Sequence, residues 1–188
     1  MDILTLSCLR FAGFQFATFE CWRGRPGQES VDGWWPQCVK NVANARAAGF
    51  DKVGVYMWPQ RALPPRQQAL QLLQRLSAAD VAYDSVMLDI EGDNWLSYNV
   101  SLNRDFVLSL VDVFAAANVP VAVYCGWQFN AIFGSDFTSL SHLPLIYAHY
   151  DNIPSYVDIT DNMFGGWTSP SGKQVALCTP YIQPQCPN

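Results

Sequence analysis

The sequence predicts an α/β protein with a parallel sheet that is covered on both sides and whose strands are joined by helical crossovers. Short apolar runs rich in β-branched and aromatic residues alternate with longer segments of helical period, as in repeated βαβ units. The runs are apolar on both faces, which indicates strands buried on both sides. A chain of 188 residues that is 50% hydrophobic and 14% charged fits one compact domain, and we expect residues 1–188 to form it.

Each predicted element has a local signal. Gly13 and Gly49 end the first two helices, Pro64 begins the third, and the apolar positions of the fourth recur at three and four residues. The predicted helices cover residues 4–12, 36–48, 64–78 and 101–117. The predicted strands cover residues 14–19, 52–57, 85–90, 119–124, 143–148 and 174–177, with a polar, glycine-rich loop at 23–33.

This alternation fits either a barrel or a doubly wound sheet. Neither a G-x-G-x-x-G nor a Walker motif follows the first strands, which weakens a nucleotide-binding doubly wound fold. A full eightfold barrel usually takes about 250 residues, and helical period is lost after Ala148. A barrel of this length would therefore lack helices in its later part.

The charge and the cysteine content limit which partners and which cellular compartment can be expected. The net charge is -5 and the basic residues are scattered, so the chain shows no basic surface of the kind that binds nucleic acid. No apolar stretch reaches the length of a membrane span. Six cysteines without a C-x-x-C pair favour one to three disulfides over metal or redox chemistry. Cys178 with Cys186 is the easiest local pair, and Cys125, which ends an apolar strand, is the expected free thiol. We expect a secreted or lysosomal or phagosomal protein whose signal peptide lies outside these residues.

Two acids close the third predicted strand. Because side chains alternate along a strand, Asp89 and Glu91 point the same way, with Cα atoms about 6.6 Å apart. Carboxyl ends of parallel strands border the site in such folds, and buried acids are costly unless they are paired or used. Glycosidic bond cleavage uses such a pair. The alternative is that both acids begin a solvated loop; Asp84, at the other end of the strand, is interpreted as a turn or capping residue.

Several segments in order along the chain resemble the family 25 glycoside hydrolases, most closely the lysozyme-like members of nematodes and protists. The resemblance covers most of the chain. It rests on residues 8–10 (CLR), 13–17 (GFQFA), 42–49 (VANARAAG), 55–59 (VYMWP), 88–91 (LDIE), 144–151 (PLIYAHYD) and 164–167 (FGGW).

The resemblance implies an irregular TIM-like barrel of eight strands and about five helices. It implies hydrolysis of the link between N-acetylmuramic acid and N-acetylglucosamine in peptidoglycan, without cofactor or metal, by a monomer. Glu91 matches the family's general acid, and Asp89 matches the partner that orients the substrate's N-acetyl group. A general acid needs a raised pKa, and we expect the negative charge of Asp89 to raise the pKa of Glu91.

The chain also departs from the family pattern. The family's first strand carries an aspartate ahead of the first helix, and here the helix follows at once, with Asp2 as a poor substitute. Residues 180–186 lack the second aspartate of the family's last strand, and Ile146 replaces its usual tryptophan. A barrel without its first strand leaves open edges, so we expect little hydrolysis by residues 1–188 alone.

Aromatic and polar residues near the strand ends are candidates for substrate contact. We assign Tyr56 and Tyr124 to sugar contact and Glu20 to a supporting role or to pairing with Arg23. Tyr147 is a further substrate-binding candidate, although core packing is the better interpretation for it, as for Trp58 and Trp127. His142 and His149 show no metal or nucleophile spacing and are interpreted as structural.

Two other functions remain open. A non-catalytic carbohydrate-binding or regulatory protein would explain the missing aspartates, while the intact Asp89 and Glu91 favour an enzyme. A chitinase-like barrel also carries Asp-x-Glu on its fourth strand, but it has a further aspartate where this chain has Met87.

Overall fold

The computed structural model describes residues 1–23, 33–157, 159 and 163–176, which fold around one parallel sheet. Six strands lie side by side in their order along the chain, and every neighbouring pair is parallel. The strands are Phe16–Arg23 (β1), Lys52–Trp58 (β2), Ser85–Asp89 (β3), Val121–Cys125 (β4), Leu145–Ala148 (β5) and Gly172–Gln174 (β6).

The sequential strand order decides between the two predicted architectures. A doubly wound sheet reverses its order at a switch point, whereas an α/β barrel adds each new strand on the same side. The order here never reverses, so the sheet curls as a half-barrel. The α/β class is confirmed, but the described residues form six strands rather than eight, and β6 does not pair with β1 among them.

In the described part of the chain, six helices accompany the sheet. They are Ile3–Phe11 (α1), Gln37–Ala47 (α2), Pro65–Ala78 (α3), Asp93–Leu96 (α4), Val100–Ala116 (α5) and Phe129–Phe133 (α6). The periodicity predicts neither α4 nor α6, because four and five residues are too few for an apolar repeat. Within the described ranges, no helix has both the length and the apolar character that crossing a membrane requires.

The first helix and the first strand meet at a glycine. Gly13 has φ +98°, and the N–H of Phe14 donates to Leu9 O at 3.2 Å, which closes the end of α1. Phe14 therefore belongs to the helix end, and β1 begins at Phe16 rather than at the predicted residue 14. The strand then continues past the predicted end to Arg23, with a register shift between Glu20 and Trp22.

The most deeply buried part of the core lies on one face of the sheet. Val53, Val55 and Met57 of β2 and Val86 and Leu88 of β3 share this face and are fully buried, whereas the alternate positions Tyr56 and Met87 are half-buried. The predicted burial on both faces is therefore complete on only one face of these two strands. A cluster of aromatic side chains packs around α6 at the later end of the sheet. It consists of Trp95, Phe106, Phe129, Phe133, Phe137, Tyr147, Phe164 and Trp167.

Disulfides secure the earlier end of the sheet. Cys21 of β1 is bonded to Cys38 of α2, and Cys8 of α1 is also disulfide-bonded. Cys125 is buried with a free thiol, which confirms the prediction for that residue. The predicted pair of Cys178 and Cys186 lies outside the described residues.

Asn103 is a fully buried polar side chain that connects three helices. Its Nδ2 donates to Trp95 O in α4 and to Ile132 O in α6, both at 3.0 Å. Its Oδ1 accepts from Arg61 Nε at 2.9 Å. Each bond satisfies a group that would otherwise be buried without a partner.

We expect Asn103→Ala to lower the free energy of unfolding by about 3 kcal/mol, because it leaves two carbonyl groups and one guanidinium without their partner. Urea unfolding followed by circular dichroism measures this loss. The control is Asn130→Ala, at an exposed position of α6. Equal losses in the two variants would contradict the role given to Asn103.

Candidate active site

The carboxyl ends of β2, β3 and β4 bring the predicted site residues together. Asp89 is the last residue of β3 and pairs in register with Tyr124 of β4. Tyr56 of β2 pairs with Met87 of β3 on one side and with Glu20 of β1 on the other. Glu91 follows β3 by two residues. The edge that borders the site in barrel enzymes therefore carries both predicted acids.

Asp89 is held in a poorly solvated position. Its Oδ1 is buried and has no hydrogen-bond partner among the described residues. Loss of solvation, followed by the negative charges of Glu91 and Glu20, raises the pKa of Asp89 well above its usual range. A buried oxygen without a partner at a strand end is a position from which a ligand N–H could be accepted.

Glu91 lies in a turn fixed by its neighbours. Its carbonyl accepts from Trp58 Nε1 at 3.4 Å, and the N–H of Gly92 donates to Gln128 Oε1 at 3.0 Å. Gly92 has φ +82°, a conformation that favours glycine. The turn leaves the Glu91 side chain half-buried, and this loss of solvation raises its pKa.

The origin of that shift differs from the prediction. We expected the charge of Asp89 to raise the pKa of Glu91, but desolvation is what raises it. The charge interaction instead contributes to the larger shift of Asp89, which lies deeper. Asp89 therefore holds its proton to higher pH than an ordinary aspartate.

Glu20 is paired as predicted. Arg23 Nε donates to Glu20 Oε1 at 2.8 Å, and Arg23 Nη2 forms an ion pair with Oε2. The guanidinium also lies 4.2 Å from the ring centre of Trp35. This forked contact fixes the Glu20 carboxylate, whose negative charge still contributes to the raised pKa of Asp89.

A pair of tyrosines borders the acids. The hydroxyl groups of Tyr124 and Tyr150 lie 2.6 Å apart, and Tyr124 is only 6% exposed. Desolvation raises the pKa of both phenols, and the charges of Glu91 and Asp89 raise it further, which places both rings near the acids. The sequence interpretation included Tyr124 but missed Tyr150, because Tyr150 follows a strand and meets Tyr124 only through tertiary structure.

The other aromatic candidates differ in how deeply their side chains are buried. Tyr147 is buried against Phe164, at 5.7 Å between ring centres, which favours packing over substrate contact. Tyr56 is half-buried, and its phenol interacts with the charge of Arg23. The packing interpretation of Trp127 is wrong, because its side chain is 77% exposed just beyond the end of β4. Composition alone gives no signal for this exposure.

The remaining candidates have structural roles. Asp84 Oδ2 accepts from Val53 N–H at 2.7 Å and pairs with Arg46 at 2.9 Å, at the far end of β3 from the site. Asp2 caps α1 by accepting from Thr5 N–H at 2.8 Å. His149 Nδ1 lies 3.4 Å from Asp151 Oδ2. In the part of the chain that is described, no group of histidine, cysteine or acidic residues could hold a metal ion.

A curled parallel sheet with two desolvated carboxyl groups at its carboxyl edge defines a barrel-like glycoside hydrolase. The family profile described as Lysozyme-like protein 1 matches residues 1–175. Probable GH family 25 lysozyme 2 of Dictyostelium discoideum is 37% identical over 175 residues, which span 92% of this chain and 77% of the relative. Lysozyme-like protein 5 of Caenorhabditis elegans is 29% identical over 174 residues, which span 90% of this chain and 77% of the relative.

Solved structures show the same fold. The muramidase from Trichobolus zukalii superposes with a TM-score of 0.71 at 16% identity, over 93% of this chain and 84% of that chain. A family GH25 lysozyme from Aspergillus fumigatus superposes with a TM-score of 0.66 at 18% identity, over 88% of this chain and 78% of that chain. The chain belongs to the glycoside hydrolase family 25 lysozymes.

The opposite environments of Asp89 and Asp84 give opposite pH dependences of stability. A raised pKa means that the folded protein holds the Asp89 proton more tightly, so ionisation of Asp89 above its folded pKa costs stability. At Asp84, desolvation opposes the hydrogen bond from Val53 and the Arg46 pair, and these two together lower the pKa. Asp84 therefore contributes stability above its unfolded pKa, and this contribution is lost as pH falls through its folded pKa.

We expect Asp89→Asn to raise the melting temperature at pH 8, by about 2–4 °C for each kcal/mol by which the free energy of unfolding increases. We expect Asp84→Asn to lower the melting temperature at the same pH. Both differences should shrink in acid, below the ordinary carboxyl pKa of about 4. Scanning calorimetry from pH 3 to pH 8, about the range over which these carboxyl groups titrate, measures both curves. A melting temperature lowered at pH 8 in both variants would contradict the desolvation of Asp89.

Proposed function

We propose that this protein hydrolyses the link between N-acetylmuramic acid and N-acetylglucosamine in peptidoglycan, with Glu91 as general acid. The observation that carries the proposal is the desolvated Glu91 beside the desolvated Asp89 at the carboxyl edge of the sheet. Relatives named as lysozymes and a structural neighbour named as a muramidase support the substrate class. Asp89, Tyr56, Tyr124 and Glu20 complete the proposed site.

Glu91 supplies the proton in the proposed reaction. Its raised pKa keeps the carboxyl group protonated to higher pH, so that it can donate to the oxygen of the scissile glycosidic bond as that bond breaks. The leaving sugar then departs as an alcohol. The substrate's own acetamide oxygen bonds to the electron-poor anomeric carbon that remains, a recognised variant of glycosidase chemistry. Water then attacks this carbon, the bond to the acetamide oxygen breaks, and the proton that the water loses returns to Glu91.

Asp89 positions that acetamide. Its buried Oδ1 has no partner in the described structure and is available to accept the amide N–H of the substrate. A carboxylate that accepts this bond turns the acetamide oxygen towards the anomeric carbon and favours its attack. Binding of the N–H also stabilises the ionised form of Asp89, which opposes the desolvation that raises its pKa.

Aromatic rings around the acids form the proposed sugar-binding surface. Tyr124 and Tyr56 border the acids, and the exposed Trp127 presents an apolar face just beyond β4. Ring faces of this kind pack against the C–H surfaces of sugars. Tyr147 remains a candidate from the sequence, but its burial favours a role in supporting this wall rather than in touching the substrate.

The same proposal extends to the protein's setting. We propose a secreted or lysosomal protein, which the Cys21 to Cys38 disulfide supports because such bonds persist in oxidising compartments. We also propose that residues 1–188 form one catalytic domain, that it acts as a monomer, and that its fold corresponds to a barrel of eight strands. The sequential strand order supports the barrel.

We expect Glu91→Gln to lower the rate of peptidoglycan hydrolysis by about 10²-fold to 10⁴-fold while the melting temperature stays close to that of the wild type, because the exchange removes the proton donor but keeps the shape. The assay incubates purified protein with bacterial peptidoglycan and identifies the sugar at each new reducing end. The matched control is Asp93→Asn, which removes an exposed acid two residues away.

Because little hydrolysis is expected from residues 1–188 alone, the comparison is one of relative rates. Slow release of reducing-end muramic acid by wild type and Asp93→Asn, but not by Glu91→Gln, is the expected pattern. Undiminished release by Glu91→Gln would refute the assignment of the acid. Reducing-end glucosamine instead of muramic acid would refute the proposed bond.

A further inference from the structure

Arg61 is a buried cation that lies outside the candidate active site. It follows β2 by three residues, and its side chain packs against α4 and α5, where it is only 6% exposed. Its N–H donates to Asn94 Oδ1 at 3.3 Å, which fixes the backbone. Burial lowers the pKa of Arg61, but a guanidinium stays charged at any physiological pH.

The guanidinium has ring neighbours but no acidic partner. Its central carbon lies 3.9 Å from the ring centre of Phe106, 4.4 Å from that of Tyr98 and 5.2 Å from that of Trp95. Nε donates to Asn103. No carboxylate within the described ranges lies at ion-pair distance from it, and its two Nη groups have no hydrogen-bond acceptor there, yet they are not sealed from solvent.

This arrangement leaves the positive charge incompletely compensated. Burial of a charge is costly unless it is paired, and contacts with ring faces offset only part of that cost. The two Nη groups present donors in a fixed fork, a geometry that matches a carboxylate. An anionic acceptor that reaches the two Nη groups would therefore complete this site.

A shallow surface cavity, largely open to solvent, gives access to the Nη end of Arg61. Its volume is about 310 Å³, and none of the acids or tyrosines of the candidate active site lines it. Apolar side chains form most of its wall, and two polar residues of α5 complete it. Its lining besides Arg61 consists of Pro65, Tyr98, Leu102, Phe106, Asp105 and Ser109.

The polar residues of the cavity wall restrict which ligands can bind. Ser109 Oγ donates to Asp105 O at 2.7 Å, so its hydroxyl hydrogen is already engaged. Asp105 adds a negative charge at the rim, which disfavours ligands with two or more negative charges. One cation in a chain of net charge -5 also makes a poor phosphate or nucleic-acid site.

We propose that Arg61 and this cavity form a second binding site, for a small organic monocarboxylate with an apolar body. The carboxylate accepts from the Nη groups of Arg61, and the body packs on Leu102, Phe106 and Tyr98. This site is independent of the proposed hydrolysis, because it shares no residue with the acids of the active site.

The test uses phenylacetate as the probe and benzyl alcohol as its uncharged counterpart, followed by amide and arginine Nε NMR of the whole protein. We expect saturable shifts at Leu102, Phe106, Ser109 and the Arg61 Nε–H, with a midpoint in the millimolar range for a ligand of this size. Benzyl alcohol should move these signals at least about tenfold more weakly, since it lacks the charged acceptor.

Variants distinguish binding at Arg61 from nonspecific effects of the ligand on the protein. Arg61→Lys should weaken phenylacetate binding by about tenfold, whereas Arg66→Lys, at an exposed position of α3, should not change it. Asp105→Asn keeps the buried structure intact and should strengthen binding by about twofold, because a like charge leaves the rim. Asp112→Asn, further along the exposed face of α5, is its control and should bind as the wild type does.

The proposal is overturned if phenylacetate causes no saturable shift, if the shifts map elsewhere, or if benzyl alcohol binds equally well. It is also overturned if Arg66→Lys weakens binding as much as Arg61→Lys. If Asp105→Asn and Asp112→Asn bind phenylacetate with equal affinity, the ligand does not bind beside the rim of this cavity. This result would overturn the proposal whether or not Arg61→Lys folds.

Discussion

The structure depends on the cost of removing Asp89 and Glu91 from water at the end of a buried strand. The apolar run of β3 carries Asp89 into the edge of the core, and Glu91 lies in the turn that follows. Water is largely excluded there, and the charge of Glu91 adds to the raised pKa of Asp89. The surrounding structure holds both acids in place. Arg23 pairs with Glu20, the turn after Glu91 is fixed by Gln128, and the tyrosine pair closes the side towards β5. A pair held in this way is suited to proton transfer because at least one group keeps its proton above the ordinary carboxyl range.

Much of the fold follows from local sequence signals. The strands were predictable because they are short apolar runs rich in β-branched and aromatic residues, and α5 because its apolar repeat is long. The helices α4 and α6 were not, since short helices owe their formation to tertiary contacts such as those of Asn103 rather than to periodicity. The start of β1 was misplaced for a related reason: Phe14 completes the hydrogen bonding of α1 before the strand begins.

The candidate site, like the fold, was predictable only where the signal is local in the sequence. Alternation along one strand places Asp89 and Glu91 on one face, and this requires no knowledge of the rest of the chain. Tyr150 depends on the approach of the segment after β5 to β4, and Trp127 depends on which rings the fold leaves uncovered. The source of the Glu91 shift also required the structure, because spacing gives the distance between two charges but not how deeply each is desolvated.

The central claim is that desolvation raises the pKa of both acids and that Asp89 holds its proton to the higher pH. Carbon-detected NMR titration of the side-chain carboxyl groups tests it directly in the unmodified protein. The account predicts that Asp89 and Glu91 both titrate above the ordinary carboxyl range of about 4, with Asp89 well above it. Titration of both acids within the ordinary range, or of Glu91 above Asp89, would contradict it.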